Sequence, residues 1–215
     1  MTELVRAVLW DLDGTLVDSA ADIAAAVDAM LTRTGRAPLG ETVVRGFIGE
    51  GARRLVDRCV EAAGGTPTEA DVAAFLEAYG AALVVRTRVY DGLRAVLDDV
   101  RAPMAIVTNK PEGFSHAIAE RLGLARYFPV VIGGDTLAVR KPDPAPLFEA
   151  LRRLDVREGV MVGDGPADVG AAKAAGMPMI GVGWGIATPH GADYAADTPD
   201  ALRRALAMAG IPVGG

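Results

Sequence analysis

The chain has 215 residues, 51% of them hydrophobic, and a formal net charge of −6 at pH 7. This charge argues against nucleic acid as a main partner, because phosphate backbones bind basic surfaces, and no apolar run reaches the roughly 18 residues of a membrane-spanning helix. The single cysteine, Cys59, cannot form an intramolecular disulfide, which is typical of a reducing compartment, so we expect a cytoplasmic globular protein, monomer or homodimer, that binds neither nucleic acid nor membranes.

Short apolar runs alternate with segments of helical spacing along most of the chain. The apolar runs are VRAVLW (5–10), MAIVT (104–108), PVVIG (129–133), GVMVG (159–163) and MIGVG (179–183). Such near-continuous runs are typical of strands buried on both faces of a parallel sheet. The helical segments are 91–100, 112–123, 144–154 and 168–176. The alternation predicts an α/β fold with a doubly wound, Rossmann-like parallel sheet.

One interval breaks this alternation. Between about residues 18 and 85 there is no strand-like run, only alanine-rich segments such as AADIAAAVDAMLTR and RRLVDRCVEAAG. We interpret the interval as an all-helical cap domain (18–85), inserted into a core made of 1–17 and 86–215. The linkers are expected near Val17 and Thr87.

Polar side chains follow four of the predicted strands. In chain order they are Asp11 and Asp13, then Thr108 and Asn109, then Lys141 in RKPDP, and finally Asp164 and Asp168 in GDGPAD. Ligands of doubly wound sheets bind beyond the carboxyl ends of the strands. We therefore expect these side chains to meet at one edge of the sheet.

Asp11 and Asp13 stand one residue apart, so they project to the same side of an extended segment. Two carboxylates this close raise each other's pKa unless a cation or a proton is bound. Asp164, arriving from a neighbouring strand, would complete a hard oxygen site that suits Mg²⁺. Taken alone, Asp-x-Asp also fits solvated loop residues, and Asp164 also fits the N-cap of a helix starting near Asp168.

Lys141 is one of only three lysines among 22 basic residues. Its compact ammonium suits a crowded anionic site better than the wide guanidinium of arginine. The hydroxyl of Thr108 can bind phosphate oxygens near the start of the next helix, although a threonine at a strand end also fits simple sheet packing. Together the pattern predicts that one carboxylate attacks phosphorus, the other transfers protons, and Mg²⁺ neutralises their repulsion.

These motifs resemble those of the haloacid dehalogenase superfamily. The four similar stretches, in the family's order, are DLDGTLVDS, IVTN with Thr108, KPDP with Lys141, and Gly163-Asp164 with Asp168. The segments VRGFIGEGARRLVDR and GDGPADVGAAKAAGMP resemble the subclass that includes phosphoglycolate phosphatase. The chain departs from the family at Trp10, where Phe is usual, and at Gly165-Pro166, where longer polar residues are common.

The resemblance implies a Mg²⁺-dependent phosphatase that acts on a small phosphorylated metabolite, with 2-phosphoglycolate as the first expectation. It implies that Asp11 is the nucleophile and forms an aspartyl-phosphate, and that Asp13 is the general acid and base. The metal would be held by the Asp11 side chain, the Asp13 backbone carbonyl and Asp164, with Asp168 in support. The residues implied to hold the transferring phosphate are Thr108, Asn109 and Lys141.

The predicted cap also offers candidate substrate contacts. In Ile48-Gly-Glu-Gly-Ala-Arg53, glycines on either side of Glu50 predict a tight turn. Its backbone, including Gly49, is expected close to the leaving group. Arg45 and Arg53 flank the turn and are candidates to pair with a substrate carboxylate, although both also fit solvated helix positions.

Several related activities can be weighed on the same residues. Asp13 argues against a dehalogenase. Such an enzyme does not release a phosphate-ester leaving group, so it needs no general acid at this position. A phosphonatase of this fold uses a cap lysine, yet no lysine occurs before Lys110. Another sugar-phosphate phosphatase, a pyrophosphatase or a phosphomutase stays open, although the predicted cap lacks the His and Lys typical of the mutases. A phospho-acceptor receiver domain is the alternative of another class, but it carries its phosphorylated Asp after a later strand.

Overall fold

The computed structural model describes residues 5–214, and its centre is a six-stranded parallel sheet. The strands of this sheet are β1 (Arg6–Trp10), β4 (Met104–Val107), β5 (Val130–Ile132), β6 (Glu158–Gly163), β7 (Met179–Val182) and β8 (Tyr194–Ala196). Two short antiparallel strands, β2 (Val17–Asp18) and β3 (Arg88–Val89), pair apart from it. The sheet order is β5-β4-β1-β6-β7-β8, so the chain runs outward from β1 to one edge and later to the other. The strand order thus reverses beside β1.

Helices cover the sheet and fill the insertion. They are α1 (Ala20–Arg33), α2 (Glu41–Arg45), α3 (Ala52–Ala62), α4 (Glu69–Ala81), α5 (Leu93–Asp99), α6 (Glu112–Arg121), α7 (Ala145–Arg153), α8 (Pro166–Ala175) and α9 (Pro199–Met208), with a 3₁₀ turn at Ala125–Tyr127. None of the helices described between residues 5 and 214 has the length and hydropathy of a membrane-spanning segment.

Residues on the two faces of β1 pack into different apolar clusters. Val8 and Trp10 belong to the larger cluster, while Ala7 and Leu9 belong to the smaller one. This alternation is the period of two expected of a strand with helices on both sides. It confirms the predicted doubly wound α/β core.

The predicted strands and helices all occur, with ends shifted by a few residues, and α1 begins and ends where its alanine-rich pattern does. The sequence pattern did not predict the β2–β3 ribbon, β8 or α9. β2 and β3 have two residues each, and β8 is a partly exposed three-residue edge strand. Such short strands carry too few residues for an apolar period to emerge, whereas the ten residues of α9, with Leu202, Ala205 and Leu206 buried, do carry a helical period.

The β2–β3 ribbon lies where the chain leaves and re-enters the core. Four helices, α1 to α4, occupy the interval between its strands. We propose on this basis that the insertion forms the cap (18–85) and that 1–17 with 86–215 form the core.

Asp22 on α1 binds the segment that returns from the insertion. Its carboxylate accepts hydrogen bonds from the backbone N–H groups of Val85 (2.9 Å), Arg86 (2.9 Å) and Thr87 (2.8 Å), and from the Thr87 hydroxyl (2.7 Å). Burial alone would raise the pKa of Asp22, but these hydrogen bonds outweigh it and hold the pKa below its usual 3.8. The two ends of the insertion are thereby joined through one carboxylate.

We expect Asp22→Ala to lower the free energy of unfolding by about 3 kcal/mol, because it leaves several backbone N–H groups buried without an acceptor. Chemical denaturation of wild type and variant measures the difference. A depressed carboxyl pKa contributes stability above the unfolded value, and this contribution is lost as the pH falls below 3.8. The difference should therefore shrink in acid, whereas Glu61→Ala on the exposed side of α3 should change little at any pH.

Candidate active site

Lys141 joins two of the predicted carboxylates at the carboxyl edge of the sheet. Its Nζ lies 2.9 Å from Asp11 Oδ1 and 2.6 Å from Asp168 Oδ1, and it also donates to the carbonyl of Val107 at 2.6 Å. Burial alone would lower the pKa of Lys141, but the charges of Asp11 and Asp168 raise it above its usual value. Lys141 is therefore a fixed cation whose three N–H donors are all used.

Three carboxylates are crowded around this lysine. Oxygens of Asp11, Asp164 and Asp168 all lie within 4.8 Å of one another. Burial, helped by the charges of Asp168 and Asp13 and opposed by Lys141, raises the pKa of Asp11 to about 6. Burial and the charge of Asp11 likewise raise the pKa of Asp164 to about 6. One lysine does not compensate this cluster, so a further cation would relieve it.

The donor set fits a divalent metal, with unequal parts for the three carboxylates. Asp11 Oδ2 accepts no hydrogen bond from residues 5–214. Asp168, in contrast, has both oxygens engaged, Oδ1 by Lys141 and Oδ2 by the N–H of Gly165 at 3.0 Å. Asp168 is therefore suited to hold the groups around the metal and not to coordinate the metal directly, as the sequence resemblance implies.

Asp164 is oriented by the loop that follows β7. Its Oδ2 accepts from the N–H groups of Ile186 at 2.7 Å and Ala187 at 2.9 Å, which leaves Oδ1 with only a long contact of 3.4 Å to the Thr15 hydroxyl. Gly14 has φ of +84°, and a Cβ there would lie 2.2 Å from Asp164 Oδ2. Glycine is thus required for the turn after β1 to approach Asp164 so closely.

The alternative reading of Asp164 as a helix cap is wrong. Helix α8 begins at Pro166, two residues earlier than its sequence pattern suggested, and its N-cap is Gly165. The side chain that binds the N-cap N–H belongs to Asp168. Asp164 is consequently free to serve the carboxylate cluster.

Both oxygens of Asp13 also have partners. Oδ1 accepts from the Ser19 hydroxyl at 2.5 Å, and Oδ2 lies 2.9 Å from Nζ of Lys110. Asp13 is therefore paired with Lys110 and not with Lys141, and it is near enough to Asp11 for its charge to raise the pKa of that carboxyl. A carboxylate near the Asp11 carboxylate can exchange a proton with a group that leaves or attacks there.

Thr108 and Asn109 directly follow β4 at the same edge of the sheet. Thr108 is buried, and its hydroxyl accepts from the N–H of Lys110 at 3.3 Å. Asn109 donates from Nδ2 to the carbonyl of Gly49 at 3.0 Å and to that of Lys141 at 2.9 Å. Its buried Oδ1 has no partner within residues 5–214. Asn109 thus joins the glycine-flanked cap turn to the lysine loop.

A cavity of about 380 Å³ lies between the cap helices and the sheet edge. Its polar end contains Asp11, Asp13, Thr108, Asn109 and Asp164. Its cap wall is mostly apolar, formed by Ile23, Ile48, Leu55, Phe75 and Tyr79 together with the turn containing Gly49. The predicted core residues are therefore brought together, under a wall that the cap supplies.

The expectation that Arg45 and Arg53 face the substrate is not met, because neither lines this cavity. Arg45 donates to the carbonyl of Gly185 at 3.1 Å and so connects cap and core. Arg53 pairs on the cap surface with Asp57 at 2.9 Å and with Glu69. Both arginines thus act in structural contacts.

Among the polar residues that line the cavity, sequence reasoning did not single out Lys110, Arg58 and Tyr79. Lys110 directly follows Asn109 and is one of the three lysines, so its position carried a usable signal. Arg58 and Tyr79 lie on the cap helices α3 and α4, and no local pattern distinguishes them from other helix residues. Their place depends on how the cap sits on the core.

Comparison with known proteins gives consistent matches. The family model of haloacid dehalogenase-like hydrolases matches residues 5–176. A phosphoglycolate phosphatase of Pseudomonas fluorescens (strain Pf0-1) is 41% identical over 221 residues, covering 95% of this chain and 79% of that protein. One of Rhodospirillum rubrum is 43% identical over 193 residues, covering 84% of this chain and 80% of that protein. The crystal structure of a predicted phosphoglycolate phosphatase from Haemophilus somnus 129PT has a TM-score of 0.85 at 26% identity, covering 95% of this chain and 99% of that one.

Proposed function

Since the chain belongs to the family of haloacid dehalogenase-like hydrolases and is a phosphatase, we propose that it hydrolyses 2-phosphoglycolate through an aspartyl-phosphate on Asp11, with Mg²⁺ as cofactor. The observation that carries this proposal is the Asp11 carboxylate, whose Oδ1 is held by Lys141 while Oδ2 has no partner within residues 5–214. The names of the similar proteins support the choice of substrate.

The proposed first step transfers the phosphoryl group to the protein. Asp11 attacks phosphorus, a bond forms between its carboxylate oxygen and phosphorus, and the bond from phosphorus to the ester oxygen breaks. The departing oxygen keeps the electron pair and takes a proton from Asp13. The product alcohol then leaves.

The second step releases phosphate. Asp13 takes a proton from a water molecule, which attacks phosphorus and displaces the Asp11 carboxylate. Lys141 holds Asp11 in place and, with the Thr108 hydroxyl and neighbouring backbone N–H groups, stabilises the charge of the transferring group. Mg²⁺ held by Asp11, the Asp13 carbonyl and Asp164 would supply further positive charge for the phosphoryl oxygens.

A substrate panel tests the proposal. We expect phosphate release in many-fold excess over protein, with the highest kcat/KM for 2-phosphoglycolate among sugar phosphates, nucleotides and pyrophosphate. A single phosphorylation without turnover would favour a receiver domain. Higher kcat/KM on a sugar phosphate or on pyrophosphate would replace the substrate while keeping the reaction.

The role of Asp13 predicts a dependence on the leaving group. Asp13→Asn should slow phosphorylation by an alkyl phosphate at least 100-fold, because general acid catalysis contributes roughly 10²–10⁴-fold. A nitrophenyl phosphate, whose leaving group needs no proton, should lose much less in that step. Single-turnover kinetics of both substrates measure the contrast, and equal losses would show that Asp13 is not the acid.

A further inference from the structure

Lys110 places a buried ammonium group in the wall of the cavity. Its side chain is 5% exposed, and its Nζ lies 2.9 Å from Asp13 Oδ2 and 2.8 Å from the Tyr79 hydroxyl. An ammonium group has three donors, and within residues 5–214 only these two partners meet it. One N–H donor of Lys110 therefore has no partner. It lies beside Asp13, the group proposed to protonate the leaving group.

Tyr79 holds a second free donor at the same place. Its ring stacks on Phe75 with centroids 5.7 Å apart and meets the edge of Phe114 at 5.5 Å, so it is fixed between cap and core. Burial raises the pKa of Tyr79, so the phenol keeps its proton. Its oxygen accepts a hydrogen bond from Lys110, and no acceptor among residues 5–214 takes its hydrogen.

The other cation of the cavity wall is less suited to bind a small substrate. Arg58 is 2.6 Å from Glu50, and its side chain is 37% exposed. It is already paired with a carboxylate of its own and is open to water, where an ion pair contributes little. Lys141 has no donor left. Lys110 is thus the buried cation of the cavity that still has an N–H donor without a partner.

We propose that Lys110 and Tyr79 together bind a second anionic group, a carboxylate, on the leaving-group side of the substrate. The inference rests on the proposed function, because it assumes that the phosphoryl group sits at Asp11. Asp13 must come within about 3 Å of the ester oxygen. A carboxylate one carbon from that oxygen then lies within reach of Lys110, which touches Asp13.

The rest of the cavity wall supports the same class of substrate. The cap contributes Ile48, Leu55 and Phe75 there, which offer no side-chain hydrogen bonds. A sugar hydroxyl buried against these three side chains would find no partner there, and the two charged groups of the cap wall, Glu50 and Arg58, already pair with each other at 2.6 Å. A short carboxylate-bearing phosphate ester leaves its single polar end to Lys110 and Tyr79.

Binding to an inactive protein tests this inference apart from turnover. On the Asp11→Asn background, calorimetry should show tighter binding of 2-phosphoglycolate than of ethyl phosphate, which lacks the carboxylate. Adding Lys110→Met should remove roughly 30-fold of that preference, as expected for loss of a buried charge partner. Lys173→Met makes the same change at an exposed lysine and should leave the preference intact.

Tyr79→Phe keeps the ring and removes the hydroxyl, so it should lose part of the preference for 2-phosphoglycolate over ethyl phosphate. This variant tests the inference if Lys110→Met does not fold. An unchanged preference in these variants, no preference in the Asp11→Asn protein, or loss of preference in Arg58→Met instead would overturn the inference. Wild-type hydrolysis is measured separately. A wild type that binds carboxylate-bearing esters through Lys110 but hydrolyses none of them would refute the proposed function alone.

Discussion

Asp11→Asn is expected to reduce phosphate release by at least about 10⁴-fold, the scale on which removal of a catalytic nucleophile acts. An amide oxygen is neutral and a poor nucleophile, yet it can still accept the hydrogen bond from Lys141, which now lies 2.9 Å from Asp11 Oδ1. The shape of the site is therefore kept while the attacking group is lost. Initial rates with 2-phosphoglycolate measure the loss.

The same substitution should not weaken the fold. Burial raises the pKa of Asp11 from 3.8 to about 6 in the protein without metal. Between these pH values the folded state binds more protons than the unfolded state, so the ionised carboxylate costs stability as the pH rises through this window. Asparagine has no such cost, and the metal-free variant should melt no lower than wild type at pH 7.

Two controls accompany this experiment. Asp91→Asn makes the same chemical change at an exposed position and should keep wild-type activity. Acid quenching during turnover should trap a phosphorylated protein in wild type and none in Asp11→Asn. A folded Asp11→Asn protein that retains more than a few per cent of activity would show that the covalent route is wrong.

The core of this site could be predicted because the carboxyl ends of parallel strands all lie at the same edge of the sheet. Asp11, Thr108, Lys141 and Asp164 each follow a strand whose apolar run is readable in the sequence. Once the strands are placed, the convergence of these residues follows from sheet geometry alone. Neither the exact spacing of the side chains nor their hydrogen bonds was needed.

The cap could not be predicted in the same way. Its helices are visible in the sequence, and α1 matches its pattern from end to end. Which helix face meets the core is decided by packing between two bodies, not by local periodicity. Arg53 on α3 therefore pairs with Asp57 on the surface, whereas Tyr79 on the next helix, α4, reaches Lys110.

Removal of divalent metal is expected to abolish activity, and Mg²⁺ should restore it. The oxygens of Asp11, Asp164 and Asp168 lie within 4.8 Å of one another, and one lysine balances them. Without a further cation this cluster repels an anionic phosphate ester as well as itself. Assays after chelation with EDTA, with and without added Mg²⁺, measure the effect, and full activity after exhaustive chelation would contradict it.

Thermal unfolding gives a second reading that does not depend on turnover. A metal present at about 100 times its dissociation constant stabilises the folded protein by about 2.7 kcal/mol. Mg²⁺ should therefore raise the melting temperature of wild type, and Asp164→Asn should reduce this shift because it removes a carboxylate of the cluster. Asp91→Asn should keep the full shift. An equal shift in all three proteins would place the metal elsewhere.

Ca²⁺ should bind and stabilise the protein but restore little activity. It prefers longer bonds and more oxygen ligands than Mg²⁺. Asp11 Oδ2 is the oxygen left without a partner, while Oδ1 is held by Lys141 at 2.9 Å. An ion that recruits both oxygens would compete with Lys141 and turn the nucleophile away from phosphorus. Stabilisation by Ca²⁺ without turnover would thus separate neutralisation of the cluster from alignment of Asp11, whereas full turnover in Ca²⁺ would show that charge alone is sufficient.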